Sequence, residues 1–174
     1  MHELAADGIR LVSASPELLD AEDISGDRLA GLLGVLAPPS WPPMFNDAET
    51  RRWVRNALHD DPDAEGWNSW YIIADAGEGL MLAGICGYKG VPDLHGQVEV
   101  GYSVVPELQR RGLASAAVAL LCESALSRGA KTVVADTVPE LVPSQRVLAK
   151  NGFLRIATIE SVEDGVIWRY RRQL

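Results

Sequence analysis

Hydrophobic residues alternate with polar or small residues in several short segments of the chain, and this two-residue period indicates half-buried β-strands. The clearest alternation is QVEVGYSVV at residues 97–105, which places Glu99 and Ser103 on one face and Val98 on the other. The glycines of the segment at residues 80–90 indicate a β-bulge or a close approach to a neighbouring strand. The whole pattern predicts about six or seven strands, at residues 8–14, 69–75, 80–90, 97–105, 131–138, 153–160 and 165–172.

A helical period appears between these strands. After Gln109, apolar or small residues recur every three or four positions, which predicts an amphipathic helix that ends at Gly129. Pro16 opens an acidic, leucine-bearing stretch that suits either one helix or two short ones. Residues 143–152 predict a further short helix that ends at a glycine.

A proline-rich segment at residues 37–45, APPSWPPMF, separates the first helical region from the next helix. Its four prolines exclude regular secondary structure and predict a stiff loop. Asn46 or Asp47 then caps a helix that runs to about residue 61, with Trp53, Ala57 and either Asn56 or Leu58 expected on its buried side.

The order of these elements indicates the fold class. A strand, one or two helices, a three-strand meander, a helix, a strand, a helix and two strands follow one another along the chain. This order predicts an α/β (α+β) domain with a mixed sheet flanked by about four helices. The length of 174 residues favours one domain, spanning residues 1–174.

Composition and charge exclude several classes of protein. The net charge of −8 and the pI near 4.8 argue against nucleic-acid binding, which needs a basic surface. The acidity is compatible with a cationic substrate, although solubility alone explains it. No segment approaches the roughly 20 apolar residues that span a bilayer, and no signal-peptide pattern is present, so we expect no membrane partner and a cytoplasmic location. Cys86 and Cys122 fit no metal-ligand spacing, and we expect both to be buried and no metal to be bound.

The junction QRRGLA at residues 109–114 lies between the strand at 97–105 and the amphipathic helix. Free backbone N–H groups and the positive end of a helix suit a phosphate or pyrophosphate there. Gly112 lets the backbone approach such a ligand closely, and Arg110 and Arg111 add positive charge. The P-loop and dinucleotide patterns are both absent. The local spacing therefore leaves two interpretations open, an anion cradle and a plain helix start.

The wider segment resembles the acetyl-CoA-binding core of the GCN5-related N-acetyltransferases. The pattern of that family is Gln/Arg-x-x-Gly-x-Gly/Ala after a strand and a proline, and Gln109, Gly112 and Ala114 match it. Downstream, SQRVLAKNGF resembles the end of the family core, with Ser144 before a short helix and Phe153 after it. VEVGYSV and ADTVPELVPSQRVLAKNGF resemble the branch that includes the ribosomal-protein N-terminal acetyltransferases.

The resemblance implies acetyl-CoA as acyl donor and a primary amine as acceptor, with direct transfer between them in a ternary complex. It also implies that the pantetheine arm lies along the backbone of Tyr102, Ser103 and Val104, and that backbone amides after the strand hold the pyrophosphate. The cofactor-binding residues expected in that turn are Gln109, Arg110, Arg111, Gly112, Leu113, Ala114 and Ser115.

Two residues are candidates for the chemistry of acetyl transfer, which needs a general base for the amine and a proton donor for the leaving thiolate. Glu99 is the candidate base, because the family often places a carboxylate there; the alternative is an ion pair with an arginine of a neighbouring strand. Ser144 is the candidate donor to the cofactor sulfur, and N-capping of the short helix is an equally good explanation of it.

Candidates for the acceptor side are Trp41 and Phe45 in the proline-rich loop, as walls, and Asp136, which either orients the amine or has a structural role. The chain departs from the family at Leu141, where many relatives have an asparagine that contacts the cofactor. It departs again at Leu148, where others have a tyrosine acid. These departures motivate an alternative function, a non-catalytic acyl-CoA sensor or scaffold. Relatives often dimerise, so a homodimer is also possible.

Overall fold

The computed structural model describes residues 2–6, 8–161 and 165–174. Within these ranges, eight strands are present: β1 (Glu3–Ala6), β2 (Ile9–Ser13), β3 (Ser69–Asp75), β4 (Leu80–Tyr88), β5 (Gln97–Val104), β6 (Thr132–Thr137), β7 (Leu154–Ser161) and β8 (Gly165–Gln173). The same ranges contain five α-helices: α1 (Pro16–Ile24), α2 (Gly26–Leu33), α3 (Ala48–Asp60), α4 (Leu113–Ser127) and α5 (Val142–Lys150).

The strands form one mixed sheet in the order β1-β2-β3-β4-β5-β6-β8-β7. Strands β5 and β6 pair in parallel, whereas every other neighbouring pair is antiparallel. The parallel pair requires a crossover, and α4 provides it. The mixed α/β sheet that the element order predicted is therefore confirmed.

Helices cover both faces of the sheet, because the strands carry apolar residues on both sides. On one face, Val98 and Val100 of β5 join a core with α4, to which Leu121 contributes. On the other face, Tyr71 of β3 joins a second core with α1, α2 and α3. This arrangement explains why several strands are apolar almost throughout rather than alternating.

The predicted elements are found with small shifts, one open alternative is decided, and one strand is added. The acidic stretch after Pro16 forms two helices, because Ser25 ends α1 and its side chain accepts a hydrogen bond from Arg28 N at 3.0 Å to begin α2. An N-terminal strand that the sequence analysis did not predict, β1, pairs with β2.

The buried side of α3 includes the predicted Leu58 but not Trp53. Asp47 caps this helix as expected, but its buried residues are Val54 and Leu58, and Trp53 is 47% exposed. The expectation that Trp53 is buried was wrong, because the phase of the helix directs Trp53 away from the core.

Gly84 of β4 allows the close strand contact that the glycines of this segment indicated. The register of β3 against β4 shifts at this point, so that Ala83 is an extra residue between the pairs formed by Gly84 and Leu82. A Cβ atom at residue 84 would lie 2.2 Å from the carbonyl oxygen of Ser103 on β5. Only glycine therefore fits here, and β4 and β5 approach each other at the end of β5.

Candidate functional site

Strands β5 and β6 separate in the centre of the sheet. Residues 97–99 of β5 pair with residues 132–134 of β6, and the pairing ends there. Beyond it, β5 continues to Val104 and β6 to Thr137. A groove therefore opens between the C-terminal halves of the two strands, with backbone groups of β5 along one side.

The antiparallel pairing of β5 with β4 decides which backbone groups face this groove. Glu99 O accepts from Lys89 N, and Val105 N donates to Ala83 O, so the odd-numbered residues of β5 bond to β4. Alternation then directs the backbone of Tyr102 and the N–H of Val104 toward the groove. The backbone of Ser103 is instead directed at β4, opposite Ile85.

The turn after β5 begins with a short 3-10 segment and ends at the first residue of α4. The side chain of Gln109 donates a hydrogen bond to Val104 O at 3.0 Å, which ties the turn to the end of the strand. Arg110 and Gly112 both have left-handed backbone conformations, with φ of 62° and 82°. Among the residues that the structure describes, the backbone N–H groups of residues 110–115 donate no hydrogen bond.

These free N–H groups fit an anionic group. Gly112 begins α4 without a side-chain cap, so the positive end of the helix has no internal partner. A Cβ atom at Gly112 would meet nothing within 4 Å, which shows that the turn faces open space. Arg110 and Arg111 are exposed beside it. The turn and the groove together therefore fit the phosphates and the extended arm of a coenzyme A molecule.

A cavity of about 870 Å³ begins at this groove and runs toward the N-terminus of α3. Glu99, Tyr102 and Ser103 of β5 line it, together with Asp136 of β6 and Ser144 of α5. The structure thus brings both candidate catalytic residues into one cavity. The turn at residues 109–115 does not line this cavity, and the groove lies between them.

Glu99 lies between two cations. It forms an ion pair with Lys89, and Oε2 lies 3.9 Å from the guanidinium of Arg169 on β8. Arg169 in turn holds Asp136 with two hydrogen bonds of 2.9 and 2.7 Å, and this contact raises the pKa of the arginine. Glu99 is therefore ion-paired, but its close partner is a lysine, and Arg169 lies on β8, which β6 separates from β5, rather than on a neighbouring strand. The Glu99 side chain is 22% exposed.

Asp136 is less available to an acceptor than Glu99. The two-hydrogen-bond contact with Arg169 occupies both oxygens of its carboxylate, and the side chain is 19% exposed. The structural interpretation of Asp136 is thus supported by its contacts, although the residue lines the cavity.

Ser144 is paired with a phenol that the sequence analysis had considered only for its backbone. The hydroxyl of Tyr102 lies 2.8 Å from Ser144 Oγ and 3.1 Å from Ser144 O. Burial raises the pKa of Tyr102 to about 12, so the phenol keeps its proton at neutral pH. The Ser144 side chain caps no backbone N–H, since α5 has no side-chain cap. Alternation along β5 could have indicated that Tyr102 points toward the α5 side.

The outer end of the cavity is formed by the proline-rich loop and α3. Phe45 lines it, is 66% exposed and has a left-handed backbone conformation with φ of 67°. Trp53 and Glu49 of α3 line it as well. Trp53 was missed because it was expected on the buried side of its helix.

Trp41 does not line the cavity. Its indole nitrogen donates to Glu22 Oε1 at 3.0 Å, and its ring packs 6.3 Å from that of Tyr71. Asn46 donates to the same carboxylate oxygen at 2.6 Å. Trp41 is therefore not a wall of this cavity, contrary to the expectation. Its contact with Glu22 instead holds the proline-rich loop in place.

The two departures from the family pattern lie in different environments. Leu141 is exposed and lines the cavity, where it provides no polar group. Leu148 is fully buried in the core under α5, so it contributes nothing to the cavity surface.

The fold and this site define an acyl-CoA-dependent transferase of the acetyltransferase type, and comparison with known proteins identifies the family. Residues 15–154 match the family model described as acetyltransferase (GNAT) domain. The match covers most of the chain, which therefore belongs to the GNAT N-acetyltransferase family.

Individual relatives agree with this assignment. The chain is 27% identical over 152 residues to an uncharacterized N-acetyltransferase of Bacillus subtilis (strain 168), YjdG, covering 87% of this chain and 89% of that protein. The ribosomal-protein alpha-N acetyltransferase RimL, solved with coenzyme A, has the same fold, with a TM-score of 0.71 at 16% identity over 99% of this chain and 98% of its own. A ribosomal-protein alanine acetyltransferase from Vibrio fischeri has a TM-score of 0.68 at 15% identity, over 99% and 97% of the two chains.

Two further observations concern the residues that the structure describes. No helix among them is long and apolar enough to cross a membrane. No group of three or more histidine, cysteine, aspartate or glutamate side chains in the same ranges is arranged to hold a metal ion.

Proposed function

We propose that this protein transfers the acetyl group of acetyl-CoA directly to a primary amine, in a ternary complex of enzyme, donor and acceptor. The observation that carries the proposal is the continuity of three features: the turn with free N–H groups, the groove between β5 and β6, and the cavity that contains Glu99 and Ser144. Together they provide a place for the phosphates, the arm and the reacting thioester.

These features support a cofactor-binding role for the residues of the turn and of β5. The N–H groups of residues 110–115 bind the pyrophosphate, and Arg110 and Arg111 add charge from the outside. Tyr102 and Val104 present backbone groups to the pantetheine arm, as a further strand would. The side chain of Gln109 fixes the junction between the two parts through its bond to Val104 O.

The catalytic roles follow from the two sides of the cavity. The amine nitrogen bonds to the carbonyl carbon of the thioester, and Glu99 accepts the proton that the nitrogen loses, directly or through water. The bond between carbon and sulfur breaks, and the leaving thiolate accepts a hydrogen bond or a proton from Ser144. A proton that Ser144 gives is replaced from the phenol of Tyr102, which regains it from solvent. The phenol of Tyr102, 2.8 Å from Ser144 Oγ, supports that proton transfer.

The outer end of the cavity supports an amine acceptor with an apolar part. Phe45 and Trp53 are both exposed there, and large exposed aromatics in a cavity mark a binding surface. Asp47 and Glu49 place carboxylates at the same end, which favours a positively charged amine. Protein N-termini and small amines both meet this description.

The test is release of free thiol from acetyl-CoA in the presence of a panel of peptides and small amines. We expect thiol release with at least one acceptor, and Glu99→Gln to lower kcat by about 100-fold or more, because general base catalysis contributes about 10²–10⁴-fold. Glu123→Gln is the matched control, since Glu123 is an exposed glutamate on α4 outside the cavity.

The alternative function, an acyl-CoA sensor or scaffold, gives a different result in the same experiment. It predicts binding of the cofactor in calorimetry without thiol release for any acceptor. If Glu99→Gln turns over normally and only unfolds more easily, Glu99 serves the ion pairs with Lys89 and Arg169 rather than catalysis.

A further inference from the structure

The hydroxyl of Thr137 is buried without a hydrogen-bond partner. Thr137 is 6% exposed, and neither of the neighbouring strands nor α5 offers its Oγ1 an acceptor or a donor. Nearly all buried side-chain hydroxyls in folded proteins have a partner, so an exception calls for an explanation. The residue also lines the cavity that contains Glu99 and Ser144.

The position of Thr137 in the sheet places this residue beside the groove. Thr137 is the last residue of β6, three positions beyond Val134, where the pairing with β5 ends. Its register partner on the other side is Trp168 of β8. The side facing β5 therefore has no strand next to it, only the groove.

Side-chain alternation places Thr137 with the proton-donating pair rather than with the ion pairs. Glu99 and Val134 are register partners, so Glu99 and Asp136 share one face of the sheet, and Tyr102 and Thr137 share the other. Leu141 also lines the cavity, and its side chain offers no polar group.

We propose that Thr137 is a cofactor-binding residue whose hydroxyl donates a hydrogen bond to an amide carbonyl of the pantetheine arm. The proposal rests on the proposed function, since it requires the arm to lie in the groove. The contact requires Oγ1, which is buried in the free protein, to turn into the cavity by rotation about the Cα–Cβ bond between staggered rotamers. The arm has amide groups and no charge, so a neutral hydroxyl is a suitable partner for it.

The test compares Thr137→Val, which keeps the shape and removes the hydroxyl, with Thr137→Ser, which keeps the hydroxyl. Calorimetry with coenzyme A should show binding about five- to tenfold weaker for Thr137→Val, and close to wild type for Thr137→Ser. The nucleotide half of the cofactor, adenosine bisphosphate, lacks the arm and should bind both variants as it binds the wild type. Thr158→Val is the matched control, because Thr158 is exposed on β7 and has the same register partner, Trp168.

Thermal unfolding of the free protein is the second measurement. Because the hydroxyl has no partner to lose, Thr137→Val should unfold at the same temperature as the wild type or higher. A clearly lower unfolding temperature for Thr137→Val, with Thr137→Ser unaffected, would show that the hydroxyl has an internal partner and would overturn the proposal.

Two other outcomes also overturn it. If wild type and Thr137→Val bind coenzyme A with equal affinity, the hydroxyl does not contact the pantetheine arm. If Thr137→Val keeps its affinity for coenzyme A but has a raised KM for the amine, the hydroxyl contacts the acceptor instead of the pantetheine arm. Failure of the wild type to bind coenzyme A at all refutes the proposed function itself, which is a distinct result.

Discussion

Gly112 gives the sharpest test of the turn that begins α4, because its backbone strain and its ligand contacts can be separated. The residue has φ of 82°, and a Cβ atom there would meet nothing within 4 Å. Gly112→Ala therefore adds no clash, and its cost is conformational. A left-handed conformation costs an L-residue about 1–2 kcal/mol, so we expect the free energy of unfolding to fall by about that amount.

Gly112→Glu carries the same strain and adds a carboxylate in front of the free N–H groups. In the free protein, a negative charge at a helix N-terminus stabilises by about 0.3–1 kcal/mol, so Gly112→Glu should be no less stable than Gly112→Ala. In the complex, the carboxylate opposes the pyrophosphate. Two like charges about 4 Å apart repel by about 4 kcal/mol at the effective dielectric constant of a protein surface.

Calorimetric titration with coenzyme A and denaturation by urea measure the two effects separately. We expect affinity at least about 100-fold weaker for Gly112→Glu, and within about threefold of wild type for Gly112→Ala. Arg110→Ala should weaken binding by no more than about fivefold, because an exposed ion pair contributes about 0–1 kcal/mol. Small and equal losses of affinity for all three variants would refute the reasoning and make the turn an ordinary helix start.

Three further predictions concern the sheet, the cavity and Glu22, the carboxylate that binds Trp41 and Asn46. Tyr102→Phe should lower kcat by about 100-fold with little change in affinity for coenzyme A, measured by thiol release; full activity would remove the phenol from the proton transfer to Ser144. Gly84→Ala should lower the free energy of unfolding by about 3 kcal/mol in urea, because its Cβ would lie 2.2 Å from Ser103 O, and a loss within experimental error would contradict that contact. Burial raises the pKa of Glu22 above 4.5, so the stability that this group contributes is present below pH 4.5 and is lost as the pH rises through the raised value. The stability of the wild type relative to Glu22→Gln should therefore fall as the pH rises above 4.5, and a difference that does not change with pH would be inconsistent with this assignment.

Local patterns in the sequence determined most of the elements and located the turn that we propose for the cofactor. The segment QVEVGYSVV predicted β5, the period after Gln109 predicted α4, and QRRGLA between them predicted either an anion cradle or a plain helix start. These features depend on backbone geometry and on residues close together in the chain, so periodicity and glycine placement are enough to find them. Two exceptions are β1, which no pattern predicted, and the buried side of α3, where Val54 is buried and Trp53 is exposed.

Only the tertiary structure decided which side chains meet across the sheet. The phenol of Tyr102 reaches Ser144 from 42 residues away, and Glu99 lies between Lys89 and Arg169, which come from opposite sides of β5. Trp41 and Phe45 belong to one loop, yet a buried carboxylate draws the first inward and leaves the second at the cavity. Strand pairing and burial set these contacts. They depend on the register and separation of distant strands, which no short segment of sequence encodes by itself.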